Sequence, residues 1–486
     1  MSEINRRELL IGATGLTLSL ALGGCEGCAK KIANRPLRRN VANLAANDPI
    51  LEAYRDGIAA MQALGGSDPR NWTRQASIHQ DHCPHGNWFF LPWHRAYLLS
   101  FERIIRKLSG MADFAMPYWD WRCQRSVPAT FWGTGTILSP QFSNPAYPFD
   151  RVIGPTGVAD ISVVGPSRLA TLLNETDFEM FASGAATALR GGGGFKGPLE
   201  SGPHDYIHAS FVRGTMKTFM SPLDPIFWLH HNILDYFWYE WNSRGNANTN
   251  DPAWSNFSLT GMFVDEDGNP VDYLVGALIL APLLSYRFET PAGCISPFKF
   301  ADTAVLRKFL ERGADIRFRP TKEFPAATKA LRLDVAQGAR TRFTVPSDAV
   351  RAVSDSASPQ RLLLRLDNVQ PPAEADFYVR AFVDLPEGQD PSPDSDHYAG
   401  AFAFFGAHGA EDGHEGHKAT YNYMVDLTPT IARLAKAGRL STQDPVVTFV
   451  AVPNPDTPPK ASALPVEIGG VTPLLIARRA IPEPLK

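Results

Sequence analysis

Two clusters of histidine constrain this chain more than any other feature. Eight of its twelve histidines fall within residues 79–94 and 204–231. The first cluster reads Ser77-Ile78-His79-Gln80-Asp81-His82-Cys83-Pro84-His85, with His94 following in Pro92-Trp93-His94-Arg95. The second reads Pro203-His204-Asp205-Tyr206-Ile207-His208, with His230 and His231 following in Asp224-Pro225-Ile226-Phe227-Trp228-Leu229-His230-His231. The surroundings are apolar and aromatic, where an imidazole is destabilising unless its nitrogens are satisfied. One such histidine is ordinarily a hydrogen-bonded core residue, but two similar triplets form a metal-binding pattern. His204 and His208, four apart, share one face of a helix and can bind one metal together. All-imidazole ligation suits zinc, copper, iron or nickel, and spacing alone does not choose among them. Two three-histidine sites on antiparallel helices would face each other with open positions, which suits a small diatomic bound between two metals.

Both clusters lie on helical sequence. Asp48-Pro49 reads as an N-cap and first helical residue, with Leu51, Tyr54, Ile58 and Met61 at helical spacing and Gly65-Gly66 as a stop. Pro92 to Ser109 carries a buried stripe of Tyr97, Leu98, Phe101, Ile104, Ile105 and Leu108, and Gly110 ends it. Asp224-Pro225 opens a third helix running to about Asn242. From Ser126 to Pro203 the chain is turn-rich, loosest at Gly191–Gly194, and the 39 Gly and 40 Pro fit long loops. After Cys294 the pattern changes. Two-residue alternation appears in Leu362–Leu366, Phe377–Val383, Phe402–Phe405, Tyr421–Val425 and Val446–Val452, with one helix over Thr428–Gly438. The 486 residues are therefore expected to divide in two. A mainly α domain (26–294), its helices joined by long loops, carries both histidine clusters; the family resemblance given below implies that it is a catalytic antiparallel four-helix bundle around a dimetal site. A linker (295–340) and an antiparallel β-sandwich (341–486) follow.

The amino terminus reads as an address. Asn5-Arg6-Arg7-Glu8-Leu9-Leu10 is a twin-arginine pattern, and the apolar stretch Leu9–Leu22 is too short to span a bilayer as a helix. Leu22-Gly23-Gly24-Cys25 resembles a lipobox. Residues 1–25 are thus expected to be an export signal, with Cys25 a lipid anchor and the enzyme periplasmic or extracellular. Of the five cysteines, Cys25 and Cys28 lie at this signal, and Cys123 and Cys294 are candidates for a pair or for buried thiols. With 47 Lys and Arg against 50 Asp and Glu, the chain has no footprint for nucleic acid. It carries no signal of oligomeric state.

Two long motifs carry a family resemblance. His85-Gly86-Asn87-Trp88-Phe89-Phe90-Leu91-Pro92-Trp93-His94-Arg95 and Asp224-Pro225-Ile226-Phe227-Trp228-Leu229-His230-His231-Asn232-Ile233-Leu234-Asp235 resemble the two signatures of type 3 copper proteins, the tyrosinases, catechol oxidases and haemocyanins. Asp396-His397-Tyr398-Ala399-Gly400-Ala401-Phe402 resembles the β-domain of polyphenol oxidases. The resemblance implies two copper ions with O₂ as co-substrate. His79, His85 and His94 would hold copper A, and His204, His208 and His231 copper B. His82 and His230 would be bystanders. Cys83-Pro84-His85 resembles a Cys-X-His in which the sulfur bonds covalently to the imidazole. Glu200 would hold a water which, with Asp205, accepts the phenol proton; tyrosinases that hydroxylate monophenols often carry Asn where Asp205 stands. Asp235 would order the site from behind, Thr218, Phe219 and Met220 would line the entrance, and Phe227 would stack a phenol ring. Ile233 stands in place of the usual Asn and Tyr236 in place of a frequent Arg. Met116-Pro117-Tyr118-Trp119-Asp120-Trp121 matches a structural element of the family, and Tyr286-Arg287-Phe288 is expected to pack on Arg38 or Arg39. His408, His414 and His417 read as a solvated loop.

The implied activity is oxidation of o-diphenols to o-quinones, with ortho-hydroxylation of monophenols, on small phenolic substrates. The β-domain is expected to shield the entrance as a lid. A catechol oxidase without monophenolase activity, an o-aminophenol oxidase and a haemocyanin-like oxygen carrier are the alternatives, and a hydrolytic zinc enzyme fits least.

Overall fold

The computed structural model describes residues 35–133, 142–289, 315–354, 360–372, 375–406, 420–440, 444–454 and 465–481. The twin-arginine segment, Cys25, Cys28, Cys294 and His408, His414 and His417 lie outside the described residues. No helix of the described residues is long and apolar enough to cross a membrane.

The first half is built on four long helices. In α1 (Pro49–Ala63) the Asp48 carboxylate accepts from Ile50 N–H, and Leu51, Tyr54, Ile58 and Met61 are buried. Helix α2 (Trp72–His82) is capped by Asn71, and α3 (Phe90–Ser109) ends at Gly110 in the left-handed region. Helix α4 (Ile226–Ser243) is apolar on nearly every face and accordingly buried on nearly every face. Gly57 lets α1 approach α3 closely, since a Cβ there would stand 2.7 Å from Ile105. Trp228 of α4 stacks on Phe101 of α3, with ring centroids 3.5 Å apart.

The segment carrying His204 and His208 departs from the expected α-helix. Glu200–His204 and Tyr206–Val212 are π-helical. Pro203 lies inside the first, where its ring and missing N–H disfavour an α-ladder. The wider ladder places Asp205 N–H on Glu200 O and Arg213 N–H on His208 O. His204 and His208 remain neighbours, with ring centroids 4.6 Å apart.

A buried ion network ties these helices together. Asp235 accepts from Arg38 Nη1 (2.7 Å), Arg95 Nε (2.5 Å) and the Tyr286 hydroxyl. Arg38 also binds Glu102 (2.5 Å) and Asn232 (2.8 Å), and its guanidinium lies 3.4 Å from the Tyr286 ring centroid, as expected of that tyrosine. Arg38 sits in β1 (Leu37–Arg38), paired parallel with β4 (Arg287–Phe288), so both ends of the helical unit are fixed at one point. Between them, β2 (Ser258–Val264) and β3 (Pro270–Leu274) form a hairpin. Cys123 is disulfide-bonded.

The second half is an antiparallel sandwich. Its strands are β5 (Asp315–Glu323), β6 (Leu331–Leu333), β7 (Ala339–Arg342), β8 (Gln360–Gln370), β9 (Phe377–Val383), β10 (Tyr398–Phe402), β11 (Tyr421–Asp426), β12 (Val446–Pro453) and β13 (Val466–Ile481). One sheet runs β10-β9-β12-β7; the other runs β11-β8-β13-β5, with β6 also on β13. Apolar residues of both sheets, among them Leu364, Val379, Phe402 and Phe449, share one core with helix α5 (Ser347–Ser354) and helix α6 (Thr428–Lys436). Strands β5 to β7 arise within the stretch read as connecting chain and pair into these sheets. The run expected as a strand over Phe402–Phe405 leaves the sheet after Phe402. Ala403 N–H turns to Ser201 O (2.8 Å), which carries 403–406 onto the helical unit.

The two halves are bound by polar contacts. Tyr378 and Arg380 donate to Asp160 at 2.5 and 2.7 Å, Arg361 pairs with Glu175, and Lys196 N–H donates to Asn422 O at 2.8 Å.

Removing one partner from a buried charge network leaves the others unpaired. Asp235→Ala is expected to lower stability by about 3–5 kcal/mol, read from urea unfolding; a loss under about 1 kcal/mol would contradict a central role for this network.

Candidate metal centre

The secondary structure sets each histidine in turn. Helix α2 presents His79, its end and the following loop present Cys83 and His85, and α3 presents His94 from its second turn. The π-helical segment presents His204 and His208, and α4 presents His230 and His231. The potential ligand atoms of His79, Cys83, His85 and His94 lie within 4.8 Å of one another, as do those of His204, His208, His230 and His231. The two groups face each other: the rings of His94 and His231 stack at 4.1 Å and 9°, and those of His85 and His204 lie 5.5 Å apart.

The hydrogen bonds fix which nitrogen is free. Carbonyl oxygens only accept, so Nδ1 carries the proton in His79 (to Phe219 O, 2.7 Å), His94 (to Phe90 O, 2.8 Å) and His208 (to Met216 O, 2.7 Å). His204 Nδ1 donates to Asp205 Oδ1 at 2.9 Å. In a neutral ring Nε2 is then a lone pair. The Nε2 atoms of His79 and His204 are buried without a partner, and those of His208 and His231 face each other at 3.1 Å. Inward-pointing lone pairs with nothing to bind are the donor set of a metal centre, and imidazole suits copper.

Burial keeps these rings neutral. It pushes His79 down to about 3 and holds His85, His94, His204, His208 and His231 well below the ordinary imidazole value. His230 differs in its tautomer. Trp121 Nε1–H donates to its Nδ1 (3.2 Å), so the ring proton sits on Nε2 and no lone pair points inward. His82 is half-buried at the end of α2, outside both groups. The Cys83 thiol is free and buried, with its sulfur 3.6 and 3.7 Å from the two ring nitrogens of His85.

Behind the imidazoles lie Glu200, Asp205 and Lys196, all fully buried. Glu200 accepts from Gly86 N–H (2.8 Å) and from the Ser183 hydroxyl. Asp205 Oδ2 accepts from Lys196 Nζ at 2.6 Å, and Glu200 lies 3.8 Å from that cation. Burial raises both carboxyls, against the pull of Lys196, and Asp205 raises Glu200 further.

The remaining expected residues fall differently. Asp235 sits one turn beyond His231 and is engaged with Arg38, Arg95 and Tyr286, so it anchors the scaffold instead of orienting a ligand imidazole. Phe227 is fully buried, its ring 4.2 Å from His231 and 5.0 Å from His79. Thr218 is exposed and bonds back to Thr215, and Met220 is half-buried. Phe219 is the residue of that stretch whose ring reaches the site, 5.7 Å from His85.

Sequence reasoning missed Lys196 and Phe405. Phe405 comes from the sandwich half and stands over the imidazoles, its ring 4.3 Å from His208 and 5.0 Å from His85. Its signal was hidden in an alternating run that reads as strand. Lys196 follows the glycine run as a lone cation in a turn-rich stretch of sequence, with no pattern to mark it.

Known proteins agree with this geometry. The profile of the common central domain of tyrosinase matches residues 69–244, and a domain of unknown function matches 321–472. The chain is 34% identical over 235 residues to the tyrosinase of Streptomyces antibioticus, covering 43% of this chain and 83% of that protein. It is 26% identical over 447 residues to tyrosinase HcTyr1 of Hahella sp. (strain CCB-MM4), covering 82% of this chain and 91% of that protein. It spans about half the length of the chloroplastic polyphenol oxidases it also matches. Its fold is similar to that of a latent aurone synthase (polyphenol oxidase), with a TM-score of 0.67 at 22% identity over 92% of this chain and 90% of that one. Fold and site together define a type 3 copper protein. The chain belongs to the tyrosinase family and is a copper-dependent phenol oxidoreductase with a binuclear copper centre.

Neutral burial has a pH signature. The unfolded chain takes up protons below about pH 6.5 while the folded imidazoles do not, so stability is present above that value and is lost as pH falls toward about 3. Each such histidine contributes a slope of up to about 1.4 kcal/mol per pH unit. The Tm of metal-free protein is expected to fall steeply below about pH 6.5; a Tm unchanged between about pH 7 and pH 5 would show that burial does not hold these rings neutral.

Proposed function

We propose that this chain oxidises o-diphenols to o-quinones with O₂ and hydroxylates monophenols beside their hydroxyl group. His79, His85 and His94 hold copper A, and His204, His208 and His231 hold copper B. The observation that carries this is that Nδ1 of His79, His94, His204 and His208 is engaged outward, which leaves their Nε2 lone pairs free within two four-residue groups whose potential ligand atoms lie within 4.8 Å of one another. Bound copper supplies the oxygen chemistry, and the chain supplies fixed imidazoles, proton acceptors and a pocket that excludes water.

The two carboxylates divide the proton work. Asp205 receives the His204 Nδ1 proton and Lys196, which suits orienting a ligand. Glu200, buried behind the imidazoles, would hold the water through which the phenol proton is accepted. The Cys83 sulfur bonds to the His85 ring carbon between the two nitrogens, the S–H and C–H hydrogens leaving as two protons and two electrons taken up by O₂, a reading its near-equal distances to both ring nitrogens support. The sandwich half acts as a lid with Phe405 as its plug. The amino-terminal 25 residues direct twin-arginine export, with Cys25 as anchor.

Oxygen uptake by copper-loaded protein is expected with 4-methylcatechol, and with p-cresol after a lag; uptake with neither would overturn the reading, and uptake with the catechol alone would make the chain a catechol oxidase. Phe405→Gly removes the buried ring of the plug, equivalent to about 1.5–3 kcal/mol, and should raise kcat/KM about ten- to hundredfold. An unchanged kcat/KM would end the lid reading. His231→Ala should reduce copper from about two ions per chain to about one, while His230→Ala should leave it near two; the reverse result would exchange their roles.

A further inference from the structure

A cavity of about 830 Å³ lies between the two halves, and none of its lining residues belongs to either histidine group. Its volume is that of a site for a small organic molecule. One wall is the helix Pro166–Leu173, with Arg168 and Leu172; the facing wall is β10, with Tyr398, Gly400 and Ala401. The stretch Asp396–Phe402, to which that wall belongs, has no part in the metal centre.

Two polar groups of this cavity are left unused by the fold. The Arg168 guanidinium makes no hydrogen bond or ion pair among the described residues, and the Tyr398 hydroxyl is buried without a hydrogen-bond partner. Burial lowers Arg168, which shows a cation held where its charge is poorly solvated. Burial raises the Tyr398 hydroxyl and Arg168 draws it back down, so the two groups lie within electrostatic reach of each other. Their surroundings, by contrast, are committed. Tyr398 O accepts from Thr430 Oγ1 (2.7 Å) and Arg433 Nη2 (2.9 Å), and Arg433 Nε donates to Asp396 O (2.9 Å). Of the acids in the wall, Glu175 pairs with Arg361, Asp396 pairs with Arg439, Asp426 accepts from Thr428 N–H (2.9 Å), and Asp394 is exposed. Strand β10 bulges between Tyr398 and Gly400, and Gly400 stands at φ +143, a conformation that glycine adopts readily. A Cβ there would stand 3.8 Å from Arg168 Nη2, so glycine keeps that side of the guanidinium clear of a side chain.

The remaining wall is largely apolar. Met180 of the helical half and Met424 of the sandwich belong to one small apolar cluster, and their flexible thioethers adapt to varied shapes. Ile161 carries the apolar surface outward and is 58% exposed. We propose that this cavity binds an organic monocarboxylate, with its carboxylate on Arg168 and the Tyr398 hydroxyl and its apolar body on Leu172, Met180 and Met424. A guanidinium only donates, a tyrosine hydroxyl can donate, and the planar fork of arginine matches the two oxygens of a carboxylate. One unpaired cation calls for one negative charge. The walls come from both halves, so a ligand held between them stabilises their junction.

The test is binding to copper-loaded full-length protein, read by titration calorimetry, and it needs no turnover. The probes are 4-phenylbutyrate, octanoate, acetate and the neutral 4-phenylbutanamide. The phenyl acid is expected to bind about ten- to hundredfold more tightly than its amide and to raise Tm. Acetate, which lacks the apolar body, should bind at least about tenfold more weakly than the better of the longer acids. That better acid identifies the source as aromatic or aliphatic. Arg168→Met should abolish the preference for acid over amide, Arg168→Lys should recover part of it, and Tyr398→Phe should weaken acid binding about three- to tenfold. Should Arg168→Met fail to fold, Tyr398→Phe and metal-free wild-type protein decide. The metal-free protein should bind the acid within about twofold of the copper-loaded protein, as independent sites do. Equal affinity for acid and amide, acetate binding as tightly as the longer acids, unchanged affinity in Arg168→Met or Tyr398→Phe, or binding lost with the copper would each overturn the proposal. The oxidase reading stands under any of these results.

Discussion

Burial of unprotonated imidazole is the constraint on which the rest of this structure depends. A neutral ring in a water-excluded core needs its N–H satisfied on one side and a lone pair kept free on the other. The chain meets the first need with backbone carbonyls for His79, His94 and His208 and with the Asp205 carboxylate for His204. Phe90 O comes from the first turn of α3 itself. Met216 O and Phe219 O come from the short stretch between the π-helical segment and α4, bent into successive 3₁₀ turns over Gly214–Lys217 and Ser221–Leu223. That stretch resembles an entrance loop in sequence. Its backbone, however, orients one histidine of each proposed triad, so its conformation is tied to both metals at once.

The same constraint explains which features were legible in the sequence. Histidines at fixed spacing on helical stretches, and the long motifs around His94 and His231, announce the ligands because a metal demands particular residue types at particular offsets. The cap at Asp48-Pro49 and the alternation in Phe377–Val383 and Val446–Val452 are local signals, and the corresponding helix and strands appear where those signals lie. What was not legible is non-local or depends on a single residue. The π-helical turn at Glu200–His204 holds Pro203, whose usual reading is a helix end. Asp235 lies on the ligand face of α4, yet its partners come from residues 38, 95 and 286, which no local pattern links. Lys196 and Phe405 are 209 positions apart, and only the finished fold brings them together.

Phe405 shows how a pattern can be correct in chemistry and misleading in structure. The run Phe402–Phe405 is as apolar as a buried strand because every residue in it is buried. Phe402 and Phe404 are buried in the sandwich core, while Phe405 is buried against histidines of the other half. Alternation reports burial on a face, and it cannot report which body provides that face. The bend begins where Ala403 exchanges a sheet partner for Ser201 O, immediately beside the π-helical segment.

The ordering of the core therefore runs from one half of the chain into the other. His204 is oriented by Asp205, Asp205 is paired with Lys196, and Lys196 holds the Phe405 carbonyl. Its own N–H lies on Asn422 O of β11. A displacement of the 403–406 segment removes one acceptor from Lys196. That loss is not balanced inside a dry cavity, because a buried charge deprived of a partner keeps its desolvation penalty. Water can satisfy the lysine, but only by hydrating the space beside the imidazoles, the condition the surrounding aromatic rings oppose.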